Sequence, residues 1–250
     1  NEKRTAVCCL SSLNIEYYDE WAKNEQFIPD VMEFLDNVLQ YFIDHAPDHI
    51  ERARYSALRE RSIGIGALGF HAYLQSKKIP LESVLAKVIN NKVFSHIHNE
   101  CEKGDKILCE LRGPCPDAKD AGIERRFSHW MAVAPNASSS LIMQATSPSI
   151  EPMRANIYRQ DTLSGAHIIK NRMLERVLDE YGLNNEEVWS NIINHDGSVQ
   201  HLEALPQEIR DVFKTAQEID QRWLIDLAAD RQNYIDQGQS LNLSFPADVS

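Results

Sequence analysis

Val133-Ala-Pro-Asn-Ala-Ser-Ser-Ser140 is the stretch around which the chain is organised. Residues 130–134 form a short apolar run, which is typical of a buried strand, and Pro135 ends that strand because proline has no N–H to donate to a sheet. Asn136 and Ser138 are favourable helix N-cap residues, and an amphipathic run at helical spacing follows them. The stretch therefore predicts a strand, a tight turn and a helix, in that order.

The predicted turn has the chemistry of an anion site. The first N–H groups of a helix have no partner within the helix, and they lie at the positive end of its dipole. This arrangement suits a phosphate or a carboxylate. An ordinary capped helix gives a similar pattern, but the three consecutive serines at 138–140 favour an anion-binding turn.

The composition is that of a soluble globular protein with one domain over residues 1–250. Of the 250 residues, 43% are hydrophobic and 25% are charged, which is enough apolar material for a substantial core. The net charge of −11 argues against nucleic acid as a partner, so a phosphate must be bound locally through backbone dipoles. No apolar run approaches the roughly 20 residues of a membrane span, and no membrane partner is expected.

The five cysteines predict free thiols rather than a disulfide framework. Their number is odd, and no C-x-x-C or H-E-x-x-H spacing occurs, so we expect no metal site and a cytoplasmic protein. They are Cys8, Cys9, Cys101, Cys109 and Cys115.

Short apolar segments separated by long helical patterns predict a helix-rich α/β fold with parallel strands. The predicted strands lie at 5–14, 61–68, 129–134 and 240–245, with a brief extended segment at 154–158. The predicted helices lie near 27–42, from Pro80 to about 111, and near 168–181, 185–193 and 206–230. In the helix after Pro80, we expect Leu81, Val84, Leu85, Val88 and Ile97 to form the buried face.

Gly64-Ile-Gly-Ala-Leu-Gly69 matches the G-x-G-x-x-G pattern of dinucleotide-binding folds. The residues before it do not form a long apolar first strand, and Pro80 interrupts the crossover unit. We therefore interpret these glycines as small residues in a tightly packed strand.

Three stretches carry a resemblance that covers essentially the whole chain, in order. They are Ala6-Val-Cys-Cys-Leu-Ser-Ser-Leu-Asn14, Arg61-Ser-Ile-Gly-Ile-Gly66, and Ala134-Pro-Asn-Ala-Ser-Ser139 with Ser149-Ile-Glu-Pro152. The segments Asn156-Ile-Tyr158, Leu163-Ser-Gly165 and Ile235-Asp-Gln-Gly-Gln-Ser-Leu-Asn242 extend it. Together they resemble the large (catalytic, α) subunit of class I ribonucleoside-diphosphate reductase. The resemblance implies the C-terminal part of that family's ten-stranded α/β barrel.

The resemblance also implies a substrate site at the central turn. In the family, a proline followed by small and hydroxyl residues binds the substrate diphosphate. Here these residues are Pro135, Asn136, Ala137, Ser138 and Ser139. Some relatives carry Glu where this chain has Ala137, so contacts at that position would come from the main chain alone.

A redox-active thiol is implied for Cys8, which would form a disulfide with a partner cysteine in each turnover. The resemblance requires its sulfur to face the barrel interior on the side of the phosphate turn. Because side chains alternate along a strand, Cys9 should then face the outer helices. The neighbouring Leu10 would line the substrate pocket.

Other parts of the family's machinery have no counterpart in these 250 residues. No Asn-x-Cys-x-Glu radical loop occurs, and the partner cysteine, the ATP and dNTP effector sites and the C-terminal tyrosine pair are expected elsewhere. We therefore expect a fragment that is inactive alone and holds no cofactor. Its radical would come from a separate di-metal small subunit, with cobalamin as the open alternative.

The implied partners are a ribonucleoside diphosphate, the N-terminal part of the large subunit, the small subunit, and thioredoxin or glutaredoxin. Two alternatives remain open from the sequence. One is a non-catalytic piece that completes a split reductase subunit, and the other is an unrelated phosphometabolite-binding α/β enzyme that uses the same turn.

Overall fold

The computed structural model describes residues 3–162 and 165–245, in which helices predominate over short strands. The helices are α1 Tyr18–Trp21, α2 Phe27–His45, α3 Glu51–Glu60, α4 Phe70–Ser76, α5 Val84–Arg112, α6 Pro116–Asp120, α7 Ala137–Ile142, α8 Arg172–Glu180, α9 Glu186–Asn194, α10 Gln207–Val212 and α11 Gln221–Gln232. The strands are β1 Cys9–Asn14, β2 Ile63–Leu68, β3 Ile157–Thr162 and β4 Gly165–Lys170.

A small parallel sheet forms the centre of the described chain. Strand β1 pairs in parallel with β2, with Cys9 opposite Ile63. Beyond β2, isolated parallel bridges join Ile65 to Met131 and Val133 to Gln239. The predicted strands in 5–14 and 61–68 are thus confirmed, with β1 starting later than expected.

The other two predicted parallel strands are shorter than expected. The segment 129–134 contributes only two bridges, although the Ile65 N–H donates to the Trp130 carbonyl at 2.7 Å. The prediction of a strand at 240–245 is wrong, because these residues form no strand. The bridge to Val133 is made by the preceding residue, Gln239.

One face of this sheet is packed and the other is open. Leu13, Ile63, Ile65 and Met131 belong to the main hydrophobic core, which α2 and α5 complete. The opposite face carries exposed residues, including Leu10 with 51% of its surface accessible. The first strand is therefore buried on one face only.

Helix α5 differs from its prediction in both its start and its rotation. It begins at Val84 rather than at Pro80, and the Ser83 hydroxyl caps it by accepting the Ala86 N–H at 3.1 Å. Val84 is 73% exposed, and Leu85 and Val88 are also exposed. Leu81 and Ile97 are buried as predicted, but the buried face of the helix runs through Ala86, Asn90 and Val93. The Asn90 side chain on this face donates to the Leu227 carbonyl of α11 at 2.9 Å.

The region after residue 154 contains a hairpin that the sequence analysis missed. The extended segment predicted at 154–158 continues as β3, which pairs antiparallel with β4. The helix predicted from 168 consequently begins at Arg172, where the Asn171 side chain accepts the Met173 N–H at 3.0 Å. The helix predicted over 206–230 is two helices, α10 and α11, and the Asp220 side chain caps the second.

A second hydrophobic cluster, built from α8, α9 and α10, is joined to the main core by buried polar side chains. The Asn171 amide donates to Gln75 of α4 at 3.0 Å, and the Asn156 amide donates to the Phe213 carbonyl at 2.7 Å. His71 of α4 is fully buried, and its Nδ1 accepts the Met153 N–H at 3.1 Å. Burial lowers the pKa of His71 from 6.5 to about 4.

The buried His71 should make the protein lose stability in mild acid. Because the unfolded chain takes up this proton near pH 6.5 and the folded chain only near pH 4, the contribution is complete above pH 6.5 and is lost as the pH falls toward 4. We expect about 1.4 kcal/mol of unfolding free energy to be lost per pH unit in this window. Urea unfolding at pH 7.5 and 5.5 measures it.

His71→Asn should keep an acceptor at the place of Nδ1 but remove the titration. The variant is expected to be less stable at pH 7.5 and to depend less on pH. His45→Asn, at an exposed position of α2, is the matched control and should retain the whole pH dependence. An unchanged pH dependence in His71→Asn would contradict the assignment.

Candidate functional site

Asn136 fastens the central turn to the sheet. Its backbone is left-handed, with φ of 54°, and it stands at the N-cap of α7. Its amide donates to the Ser12 hydroxyl at 2.8 Å and to the carbonyls of Ala67 at 3.2 Å and Ala134 at 3.0 Å. The predicted capping by its side chain is therefore wrong, since the amide instead ties the turn to the carboxyl ends of β1 and β2.

The turn itself is open. Pro135, Ala137, Ser138 and Ser139 are exposed, whereas Ser140 is buried and its hydroxyl donates to the Ala137 carbonyl at 2.9 Å. The Ser140 N–H donates to the Asn136 carbonyl at 2.9 Å, while the amides before it precede the first bond of the helix. Ser138 also borders a pocket of about 570 Å³ that lies between α7 and β3, with Arg154 and Tyr158 on its far side.

Cys8 and Cys9 lie on opposite faces of the sheet. Cys9 packs against the main core, whereas Cys8 is exposed and shares its face with Leu10 and Ser12. The Ser12 hydroxyl accepts a hydrogen bond from the Asn136 side-chain amide, so this face of the sheet is continuous with the turn. The orientation expected for both cysteines is thus observed, while their roles stay predictions.

Gly64 and Gly66 make the floor of that surface flat. A Cβ at Gly64 would lie 2.5 Å from Leu10 Cδ2 and 2.9 Å from Ala132 Cβ. One at Gly66 would lie 2.4 Å from the Ala132 carbonyl oxygen. Close packing therefore accounts for these glycines, which supports our interpretation of them over a dinucleotide fingerprint.

The thiol of Cys8 has polar neighbours that the sequence analysis did not select. Its sulfur donates to Gln237 Oε1 at 3.4 Å. The Gln237 amide is held in turn, because its nitrogen donates to the carbonyls of Ile63 at 2.7 Å and Met131 at 3.3 Å. Desolvation raises the pKa of Cys8, and the charge of the nearby Asp236 carboxylate raises it further. In the sequence, Ile63 and Gln237 are marked only by lying in the stretches 61–66 and 235–242 that carry the resemblance.

Glu151 and Asn242 bring two further stretches together. The Asn242 backbone N–H and side-chain amide both donate to Glu151 Oε1, at 3.1 and 2.8 Å. Burial raises the pKa of Glu151, against these hydrogen bonds. The contact fixes the segment after the central turn against the end of the described chain.

The chain matches the family model of the ribonucleotide reductase barrel domain over residues 1–125 and 117–250. It belongs to the ribonucleotide reductase barrel-domain family. It is 57% identical to the ribonucleoside-diphosphate reductase large subunit of Invertebrate iridescent virus 3, over 99% of this chain and 40% of that protein. A putative large subunit of Frog virus 3 is 46% identical over 97% of this chain and 43% of that protein.

The barrel-domain fold is also seen in a solved relative. The class Id ribonucleotide reductase alpha subunit of Actinobacillus ureae superposes with a TM-score of 0.90 at 41% identity, over 97% of this chain and 45% of that chain. The predicted helix-rich α/β barrel portion is thus confirmed. The chain spans about two fifths of the length of these relatives.

The described part of this barrel-domain chain has no candidate metal centre. No group of three or more His, Cys, Asp or Glu side chains within residues 3–162 and 165–245 could hold an ion, and the five cysteines are free thiols. In the same ranges, no helix is both long and apolar enough to cross a bilayer. In the predicted segment Leu163-Ser-Gly165, residues 163 and 164 lie outside the described residues.

Proposed function

We propose that this chain provides the substrate-phosphate turn and a redox thiol of a ribonucleotide reductase large subunit, which reduces ribonucleoside diphosphates to 2′-deoxyribonucleotides. The observation that carries the proposal is the bond from the Asn136 amide to the Ser12 hydroxyl. It supports the proposal because it joins the turn at 135–139 to the open sheet face on which the Cys8 side chain lies.

The geometry suits a ligand that has a phosphate at one end. In parallel α/β folds, ligands bind at the carboxyl ends of the strands, where the turn at 135–139 lies. Cys8 and Ser12 are four residues apart on one strand face, which corresponds to about 13 Å. A nucleotide bound by its diphosphate at the turn can extend over Gly64 and Gly66 toward Cys8, with Leu10 beside it.

The proposed role of Cys8 is to supply reducing equivalents. Two thiols become one disulfide and release two electrons and two protons, while the ribose 2′-hydroxyl departs as water. Cys8 is one thiol, and the second belongs to a part of the enzyme outside these 250 residues. The radical that starts the reaction comes from a separate di-metal subunit, and effectors bind outside this chain.

The remaining proposed partners follow from this chemistry. A dithiol protein such as thioredoxin or glutaredoxin regenerates the thiols, and the N-terminal part of the large subunit completes the barrel. Such a reaction belongs in the cytoplasm. Membership of the barrel-domain family removes the support for an unrelated phosphometabolite enzyme.

Loss of the Asn136 amide should weaken diphosphate binding selectively. In the reductase assembled with the rest of the large subunit and a radical-generating subunit, Asn136→Ala removes three hydrogen bonds that hold the turn. We expect Kd for a ribonucleoside diphosphate to rise about 10- to 100-fold, because each such bond contributes roughly 1 kcal/mol. The Kd of the unphosphorylated nucleoside should change little. Equilibrium dialysis measures both.

The control is Asn233→Ala, which removes only a side-chain bond to the Asp230 carbonyl at a helix end and should leave both affinities unchanged. Equal losses for nucleotide and nucleoside in Asn136→Ala would contradict a phosphate turn. The chain assayed alone should show no turnover, since these 250 residues contain no Asn-x-Cys-x-Glu motif.

A further inference from the structure

The chain that leaves helix α7 is held by an arginine from another helix. Arg172 Nη1 donates to Gln144 Oε1 at 2.9 Å. Its other terminal nitrogen, Nη2, donates to both carboxylate oxygens of Glu16, at 2.8 and 3.0 Å. The Tyr17 hydroxyl donates to the same Gln144 oxygen at 3.3 Å. One guanidinium group thus joins the end of α7 to the residues that follow β1.

Apolar packing contributes little to the orientation of α7. The buried residue of this helix is Ser140, while Ile142 is 82% exposed and the next residue, Met143, is 47% exposed. Helices in proteins are normally oriented by the apolar face that they bury. The polar contacts at the two ends of α7 therefore take over this task, with Asn136 at its start and Gln144 beyond its end.

The backbone beyond α7 adopts a conformation that needs such support. Gln144 and Ala145 are both left-handed, with φ of 61° and 56°. This conformation is costly for residues other than glycine, and it persists where surrounding contacts hold it. The same segment is joined to the turn, because the Met143 N–H donates to the Ser139 carbonyl at 2.9 Å. A helix of six residues is only about 9 Å long, so a displacement at Gln144 would reach the serines of the turn.

Arg172 is firmly placed, although it does not suit its own helix. It is the first residue of α8, and the buried Asn171 before it donates to Asn156 Oδ1 at 2.8 Å and to Gln75 Oε1 at 3.0 Å. The helix dipole opposes a cation at a helix N-terminus, so α8 itself gains nothing from this arginine. The side chain of Glu16 is only 5% exposed and requires a counter-charge, which the guanidinium supplies.

We propose that Arg172 is a positioning residue for the substrate diphosphate and that it acts through Gln144 on the turn at 135–139. Asn136 holds the start of α7 against the sheet, and Arg172 holds its end against Glu16. Arg172 touches no substrate atom in this role; it keeps the serine side chains of the turn in one orientation. The inference rests on the proposed function, since the orientation of the turn affects binding only if the turn holds the diphosphate.

Arg172→Met should weaken diphosphate binding and leave the chemical step unchanged. The probes are cytidine diphosphate and unphosphorylated cytidine, and the protein is the reductase assembled with the rest of the large subunit and a radical-generating subunit. We expect Kd for cytidine diphosphate to rise about fivefold, as for the loss of roughly one net hydrogen bond, and Kd for cytidine to change little. KM should rise while kcat is retained, because the phosphates take no part in the reaction at the ribose. Mere loss of folded enzyme would instead lower kcat and leave KM unchanged.

Gln144→Ala is the second variant, and its exposed position makes misfolding no concern. It should raise Kd for cytidine diphosphate by a similar factor. Because Arg172 acts through Gln144, the double variant should bind no more weakly than Arg172→Met alone. Arg176→Met is the matched control, since this arginine lies one turn further along α8 and its Nη1 contacts the Met173 sulfur at 3.8 Å. It should bind both probes with wild-type affinity.

Wild-type affinity for cytidine diphosphate in folded Arg172→Met, or in Gln144→Ala if the former does not fold, would overturn the inference. Equal weakening of both probes would also overturn it, as would fully additive losses in the double variant. Comparison with Asn136→Ala separates this failure from failure of the proposed function. Selective weakening in Asn136→Ala with wild-type binding in Arg172→Met would remove only the role of Arg172. Equal losses of nucleotide and nucleoside in Asn136→Ala would remove the phosphate turn and the role of Arg172 with it.

Discussion

Cys8→Ser is expected to abolish sustained ribonucleotide reduction in the enzyme assembled from this chain, the rest of the large subunit and a radical-generating subunit. A serine hydroxyl cannot form a disulfide, so the thiol pair cannot donate its two electrons and turnover should fall to background. Nucleotide binding should persist, because the turn at 135–139 is held by Asn136 rather than by Cys8. Product formation over many turnovers, together with titration of thiols after each reaction, measures the effect.

Cys9→Ser is the matched control, since it makes the same chemical change one residue away on the other face of the strand. Cys9 packs against the main core, so the variant should lose about 1 kcal/mol of stability and keep its turnover. Loss of turnover in Cys9→Ser with activity retained in Cys8→Ser would reverse the assignment. Activity retained in both variants would contradict a redox role for either cysteine and would favour a non-catalytic chain that only completes the large subunit.

The parallel strands could be predicted because they are apolar and short, whereas the hairpin could not. Strand β3 reads Ile157-Tyr-Arg-Gln-Asp-Thr162, and most of β4 is exposed. Apart from Ile157, which is buried, the hairpin has no alternation of apolar and polar residues, so periodicity gives no signal for it. The apolar residues at 168–169 instead fit the helical pattern of the segment that follows.

Helical periodicity identified α5 but not its rotation. The exposed residues Val84, Leu85 and Val88 have the same helical spacing as the residues that are in fact buried. Spacing alone therefore does not tell which face of the helix is buried. The buried face packs against α2 and α11, and on it the Asn90 amide donates to the Leu227 carbonyl of α11. A buried polar residue whose hydrogen-bond partner lies 137 positions away cannot be recognised from the hydrophobic pattern of the helix.

The candidate site shows the same division between local and distant information. The turn at 135–139 was found from local signals, namely a strand-ending proline and consecutive serines. The bond from Asn136 to Ser12 spans 124 positions, and the bond from Cys8 to Gln237 spans 229. Such contacts depend on sheet register and strand order, which only the resemblance to a known barrel suggested.

Replacing Asp36, a buried carboxylate of α2, is expected to lower the free energy of unfolding more than any other single substitution proposed for this chain. It is completely buried, and its carboxylate accepts Arg61 Nε at 2.7 Å, Arg112 Nη1 at 2.7 Å and Arg126 Nη2 at 3.0 Å. Burial alone would raise the pKa of Asp36, but its bonds and charges from the three arginines hold that pKa below 3.8. The one carboxylate thus joins α2, the start of β2, the end of α5 and the loop before the segment 129–134.

Asp36→Asn should lower the free energy of unfolding by about 3–5 kcal/mol, since it leaves buried guanidinium groups without their anion. This is a large part of the roughly 5–15 kcal/mol that stabilises a typical domain. Urea unfolding at pH 7 measures the loss, because the ionised Asp36 contributes fully above its ordinary pKa and is neutralised only as the pH falls below 3.8.

Glu33→Gln provides the matched control for this charge cluster. Glu33 lies one turn before Asp36 and pairs with the same Arg112, at 2.5 Å, but 48% of its side chain is exposed. Because solvent screens an exposed pair, its loss should cost at most about 1 kcal/mol and should disappear at high salt. The Asp36→Asn loss should persist at high salt, since salt screens buried charges much less. If both variants lose the same small amount of stability, Asp36 does not hold these four segments together.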